Sequence, residues 1–275
     1  MLASSVTGLA GCILTTAQLP LGVLRRKLRR DHRKYLMTAT AAVLLEFWVT
    51  KKHGVLAGLV AGALHFVGSR LVIPGITGGI GSGKSTAVAC LQAKYDVQVI
   101  DADKIAREIM EPGRPAFKEV VQSFGDKILT SQGQINRQKL GEIVFADDKS
   151  RALLNRITHK HIIITMMWRL FSYRVLPPYN KPPMVMDVPL LLETPGLRWV
   201  CDPVVVVYVD PQTQLDRLVK RCPTESVTNL TNRIKAQMPL DQKVAMADRV
   251  LDNRGDLKNL EKQVDDLYEK ELKNM

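Results

Sequence analysis

Apolar and polar positions along the chain follow two regimes that meet near residue 71. Beyond it, short apolar runs alternate with stretches of helical periodicity. Leu71–Ile73 reads as a strand running into a glycine-rich stretch, and Ser85–Lys94 as the helix after it. Val97–Ile100 reads as a second strand ending at Asp101. A helix over Asp103–Met110 follows, stopped by Glu111-Pro-Gly113. Helices are expected over 115–124, 136–146 and 148–175. Met184–Met186 reads as a third strand ending at Asp187, Val204–Val209 as a fourth ending at Asp210, and Arg249–Leu251 as a fifth. Gln212–Arg221 is helical, with Asp210 as N-cap and Pro211 at the first helical position. Asp256–Asn274 is a charged amphipathic helix. This alternation predicts an α/β fold, a parallel five-stranded sheet flanked by helices. Ligands bind at the carboxyl ends of such strands, where Asp101, Asp187 and Asp210 stand.

The segment before residue 71 is patterned differently. Met1–Leu24 carries no charge, and a basic block, RRKLRRDHRK, fills 25–34. Two apolar stretches, Tyr35–Thr50 and Gly54–Ser69, follow; each is shorter than the roughly 20 residues that span a bilayer. Gly8, Gly11, Gln18 and Pro20 interrupt the first, longer stretch.

Charge sharpens the division. The chain carries 39 Lys plus Arg against 27 Asp plus Glu, a net of +12, which on its own suggests a nucleic-acid binder. Residues 1–72, however, hold ten of the basic side chains and only two acids, Asp31 and Glu46, leaving 29 basic against 25 acidic on the body. Aromatic residues make up 5%, few for a protein that stacks on single strands. No nucleic-acid partner is expected. Residues 1–70 are expected to be a membrane-anchoring or targeting extension, because a basic block beside apolar stretches suits an anionic membrane surface. The alternatives are a helical hairpin packed on the body, or an extension with no separate role. Cys12, Cys90, Cys201 and Cys222 form no CxxC pair and read as reduced thiols. The expected location is intracellular, at the surface of a mitochondrion or other organelle.

The chemistry is concentrated in Gly78, Gly79, Ile80, Gly81, Ser82, Gly83, Lys84 and Ser85, with Thr86 following. This run fits G-x-x-x-x-G-K-[ST] and lies between a strand and a helix, the context of a P-loop. Its glycines let consecutive N–H groups converge on one anion, and the helix start adds its positive dipole end. Lys84 would meet the β/γ-phosphates of ATP, and Ser85 would offer Mg²⁺ a hard oxygen ligand. The alternative is a glycine-rich turn without ligand. Asn180-Lys181 runs into two prolines, so a GTPase base-reading element is absent. The compact body then points to a small-molecule kinase. Arg217 and Arg221 lie four apart on one helix face and, with Arg233, could close over phosphates as a lid, arginine being suited to bidentate phosphate contact. Asp187 ends its strand as a Walker B carboxylate does; the alternative is a cap before Pro189.

Several motifs together make the body, about residues 71–270, resemble dephospho-coenzyme A kinase. They are Thr77–Thr86, Val99–Arg107, Glu111–Gly113, Phe124-Gly125, Ile135–Arg137 with Ile143–Phe145, Ile157–His159, Asp187–Glu193, Thr213–Leu215, Arg233–Gln237 and Leu251–Asn253. The resemblance implies a P-loop kinase domain over 71–275 with helical substrate-binding and lid regions. It implies transfer of the ATP γ-phosphoryl group to the ribose 3′-hydroxyl of dephospho-CoA, giving CoA and ADP. Under it, Asp103 matches the second Asp of the family's Asp-Ala-Asp and is the candidate to accept or orient the hydroxyl, an N-cap being its alternative. Asp101 is a candidate to support the reacting groups from behind or to hold a Mg²⁺-bound water. Arg217 matches a catalytic position, Arg137 and His159 match positions near the acceptor, and Asn253 would shape the adenine pocket. The competing readings are another small P-loop kinase, such as a nucleoside monophosphate kinase, or a membrane-tethered nucleotide-binding protein without turnover. Pro74 departs from the family's apolar residue in the first strand. It cannot donate to a sheet ladder, so a shortened strand or an unusual junction is expected there.

Overall fold

The computed structural model describes residues 67–68, 70–178, 180–194 and 196–273. The expectations for the N-terminal extension lie outside these residues, apart from its last few positions. The described residues up to Val99 together with those from Tyr173 onward form one compact unit, and Ile100–Ser172 form a second.

Five strands build one sheet: β1 (Ile73–Gly78), β2 (Gln98–Asp101), β3 (Met184–Asp187), β4 (Cys201–Tyr208) and β5 (Arg249–Asp252), in the order β2-β3-β1-β4-β5. β1 pairs in parallel with β3 and β4, and β4 in parallel with β5. β1 is buried along its whole length, and β4 has at most intermediate exposure, as central parallel strands must be. Among the described residues, the helices that flank the sheet in this unit include α1 (Lys84–Tyr95), α6 (Pro211–Arg221), α7 (Val227–Lys235), α8 (Leu240–Ala245) and α9 (Leu257–Leu267). Ile76, Val205 and Val207 of the sheet pack with Ala87, Val88 and Leu91 of α1 and with Leu260, Val264 and Leu267 of α9. Truncating a fully buried member such as Leu91 to Ala should cost about 2–5 kcal/mol.

The second unit is helical: α2 (Ala102–Glu108), α3 (Pro115–Phe124), α4 (Arg137–Ala146) and the 27-residue α5 (Asp148–Arg174), whose last two residues belong to the first unit. Its core is Val120, Phe124, Ile128, Leu140 and Ile157. Among the described residues, no helix is long and apolar enough to cross a membrane.

The first strand lies later than expected. It begins at Ile73 and runs through Pro74 and Gly75 to Gly78, where Leu71–Ile73 was read as the strand. Proline and glycine hide strand propensity in the sequence; burial between two neighbours overrides it. The register supplies the reason Pro74 is tolerated. Ile73 is opposite Cys201 but Gly75 is opposite Val204, so the ladder is irregular at Pro74, across from Asp202 and Pro203. A bulge is where a residue without an N–H fits. Gly75 is needed for a different reason: a Cβ there would come 2.7 Å from Cys201 Sγ and 2.8 Å from Leu191 Cδ2. Helix α7 carries Arg233, in line with the helical lid regions expected, whereas α8, only six residues long, was not expected from the sequence.

Candidate active site

The carboxyl ends of β1 and β3 form the site in the first unit. Gly78 ends β1, the loop Gly79–Gly83 follows, and Lys84 opens α1. Gly81 and Gly83 hold φ of 79° and 87°, the left-handed region that glycine enters without strain. Gly83 also has no room for a side chain, since a Cβ would lie 2.0 Å from Asn253 Nδ2. The Thr86 and Ala87 N–H groups donate to the Gly83 carbonyl at 3.0 and 3.2 Å, closing the first helical turn. Lys84 is mostly buried, and its ammonium is bonded to the Asp187 carboxylate at the end of β3. The Ser82 hydroxyl is buried within the loop and has no hydrogen-bond partner.

The loop is braced from outside. Arg217 on α6 donates to the Ser82 carbonyl at 3.4 Å and to the Asn253 carbonyl at 2.8 Å. Asn253, just beyond β5, donates from Nδ2 to the Ser82 carbonyl at 2.8 Å. Arg217 therefore meets the phosphate loop, and the amide of Asn253, read from the sequence as part of an adenine pocket, is engaged on the backbone of that loop. Asp210 caps α6 as expected, accepting from the Thr213 N–H at 2.9 Å and its hydroxyl at 2.7 Å. Those bonds hold its carboxyl below the usual carboxylate range. The Arg254 guanidinium does the same for Asp252 beside Asn253. Arg221 is exposed in the last turn of α6, and Arg233 on α7 is paired with Glu225 at 2.8 Å.

The remaining expected residues lie in the second unit. Asp101, not Asp103, is the N-cap of α2: its carboxylate accepts the Lys104 N–H at 2.9 Å. Asp103 is exposed in the first turn, so the capping alternative for it is removed. Two aspartates one residue apart could not be told apart as caps from sequence. Arg137 opens α4 and lines a groove of about 460 Å³ with Arg107, Met110, Ile135, Leu140 and Val144. His159 is exposed on α5.

Sequence reasoning missed three residues at the loop. Gln214 and Gln237 bracket Ile80: Gln214 Nε2 donates to its carbonyl at 2.7 Å and Gln237 Oε1 accepts its N–H at 2.9 Å. Lys243 is fully buried with its ammonium near Gly78, Pro189 and Glu193. Gln214 lies inside the motif Thr213–Leu215 and Gln237 closes Arg233–Gln237, which was the available signal; nothing local marks Lys243.

A phosphate loop with a paired lysine and carboxylate fits many kinases, so the comparisons with known proteins decide among them. Residues 72–259 match the family described as dephospho-CoA kinase. A dephospho-CoA kinase domain-containing protein of Danio rerio is 40% identical over 200 residues, covering 73% of this chain and 85% of the relative. The dephospho-CoA kinase of Carboxydothermus hydrogenoformans is 42% identical over 196 residues, 70% of this chain and 92% of its own. The chain belongs to the dephospho-CoA kinase family. Members of this family, this chain included, are kinases that phosphorylate dephospho-CoA with ATP in CoA biosynthesis. Solved structures agree in fold. TT1252 from Thermus thermophilus aligns with a TM-score of 0.59 at 27% identity, covering 72% of this chain and 97% of its own. A dephospho-CoA kinase from Campylobacter jejuni aligns at 0.54 and 24% identity, over 71% and 94% of the two chains. The expectation of a dephospho-CoA kinase on a P-loop sheet is thus met, and the other kinase and non-enzyme readings fall away.

Proposed function

We propose that this kinase moves the ATP γ-phosphoryl group to the ribose 3′-hydroxyl of dephospho-CoA, with the roles divided as follows. The backbone of Gly78–Thr86 and the Lys84 ammonium hold the phosphates. Arg217, close to the Ser82 carbonyl, reaches the same phosphates from α6. Asp103 orients the acceptor hydroxyl and accepts its proton. Asp101 serves α2 as a cap and supports Asp103 through that turn. Arg137, on the wall of the groove in the second unit, and His159 meet the acceptor. Arg221 and Arg233 lie on the two lid helices and meet phosphate in the closed state.

Mg²⁺ fits the donors present. Ser85 is exposed at the start of α1, and Asp187 adds a carboxylate beside Lys84. A hydroxyl, a carboxylate and nucleotide phosphates are the oxygen donors this cation takes with a nucleotide. When bound it would neutralise charge on the transferring group.

The observation that carries this reading is the glycine-braced loop whose lysine meets the Asp187 carboxylate. The test is to incubate the full chain with Mg-ATP and dephospho-CoA and follow the product by mass spectrometry, mapping the new phosphate by fragmentation. A phosphate on any position other than the ribose 3′-oxygen ends the proposal.

For residues 1–70 the charge distribution supports a role in placing the enzyme at an organelle membrane. Fusing them to a fluorescent protein tests this, and a diffuse signal removes it.

A further inference from the structure

Every second carbonyl of the phosphate loop is held by a side chain distant in sequence. Lys243 Nζ donates to Gly78 at 3.4 Å, Gln214 Nε2 to Ile80 at 2.7 Å and Asn253 Nδ2 to Ser82 at 2.8 Å. Gln237 takes the Ile80 N–H as well, so that peptide is fixed on both sides. The curl of the loop is thereby set by groups that hold its backbone.

Lys243 is the unusual member. Its residue is 0% exposed, and an ammonium withdrawn from water is costly unless every proton finds an acceptor. It has three protons and three acceptors: the Gly78 carbonyl, the Pro189 carbonyl at 2.9 Å and Glu193 Oε1 at 2.9 Å. Gly78 ends β1, and Pro189 lies two residues beyond Asp187 at the end of β3. Those are the strand ends across which Lys84 meets Asp187. Thr77 Oγ1 also donates to the Pro189 carbonyl at 2.9 Å, tying the same ends a second time. Glu193 in turn accepts the Met238 N–H at 3.1 Å, so the pair also fixes the start of the segment leading into α8. An apolar side chain could fill this volume, but it could not draw two carbonyls together.

We propose that Lys243 is a positioning residue for phosphoryl transfer: with Gln214 and Gln237 it presets the phosphate loop and the span between Lys84 and Asp187. It acts through the Gly78 and Pro189 backbone and does not touch the nucleotide. This rests on the assignment of Gly78–Thr86 as the ATP phosphate cradle, and the test separates the two claims.

The measurements are MgADP titration by calorimetry, KM for each substrate, and thermal midpoint, all on the full chain. Lys84→Met reports on the cradle: MgADP binding equal to wild type would end that assignment whatever Lys243 does. Lys243→Met should weaken MgADP binding and raise KM for ATP by about tenfold or more, with KM for dephospho-CoA within about twofold. It also leaves the Glu193 carboxylate without its cation, so its midpoint should fall. Lys243→Met/Glu193→Gln removes both charges; its midpoint should recover while nucleotide affinity stays weak. Recovery of affinity together with the midpoint assigns Lys243 a purely structural role and overturns the proposal, as does unchanged affinity in Lys243→Met. If neither Lys243 variant folds, Gln237→Met at its half-buried position decides. It should weaken MgADP by about threefold or more, and an affinity within about twofold of wild type overturns the proposal.

Discussion

The Lys84 ammonium and the Asp187 carboxylate form an ion pair shielded from water, with side-chain exposures of 12% and 7%. Lys84 opens the helix that follows the phosphate loop and Asp187 ends β3, 103 residues apart in sequence. Removing one partner leaves the other charge nearly buried and alone, which costs about 3–5 kcal/mol in buried pairs. Lys84→Met should therefore lose both stability and nucleotide affinity. Lys84→Met/Asp187→Asn should regain most of the stability and none of the affinity, as read by urea unfolding beside nucleotide titration.

Gly83 makes a sharper demand than the other loop glycines. At φ 87° with Asn253 Nδ2 in the way, alanine pays both a backbone and a steric penalty. The left-handed conformation alone costs about 1–2 kcal/mol for an L-residue. Gly83→Ala should break the Asn253 to Ser82 bond and abolish measurable MgADP binding. Calorimetry that finds wild-type binding would contradict this.

The two aspartates after β2 should separate cleanly. Asp101→Ala removes an N-cap and should cost about 1 kcal/mol of stability. Asp103→Asn leaves the cap intact and should lower kcat by about 10²-fold or more, with ATP affinity unchanged. Steady-state kinetics beside thermal unfolding checks both. Unaltered kcat in Asp103→Asn would remove it from the chemistry.

Acid should loosen α6, the helix that carries Gln214 and Arg217. The Thr213 bonds lower the Asp210 carboxyl below its unfolded value of about 3.9. A depressed folded value means the stabilisation is complete above the unfolded value and is lost as pH falls through the lower, folded one. Asp210→Asn keeps a competent cap but has no charge to titrate. Its stability deficit relative to wild type should be present at pH 7 and vanish at the acid end, well below pH 4. A deficit independent of pH would show that the charge is not involved.

What was legible in the sequence was local. The loop Gly78–Ser85 is contiguous, so its glycines, lysine and hydroxyl could be read together, and a strand before it and a helix after it supplied the context. Val204–Val207 could belong only to a buried strand, and Asp210-Pro211 marked the start of α6. Helix α3 and α4 stood where their periodicity placed them. The start of β1 was not legible, because Pro74 and Gly75 suit a buried strand only when a bulge and the Cys201 and Leu191 side chains lie against them.

By itself, then, the sequence determined the alternation of strand and helix, the phosphate loop and the family, since each is written in neighbouring residues or in a series of short motifs. The tertiary structure alone decided which partner each polar group takes. It gave the cap of α2 to Asp101, turned Asn253 and Arg217 onto the Ser82 carbonyl, and buried Lys243 between the ends of two strands. Hydrogen-bond partners of a buried group are chosen by proximity in space, and groups separated by 165 residues, as Lys243 and Gly78 are, have no local pattern to announce them.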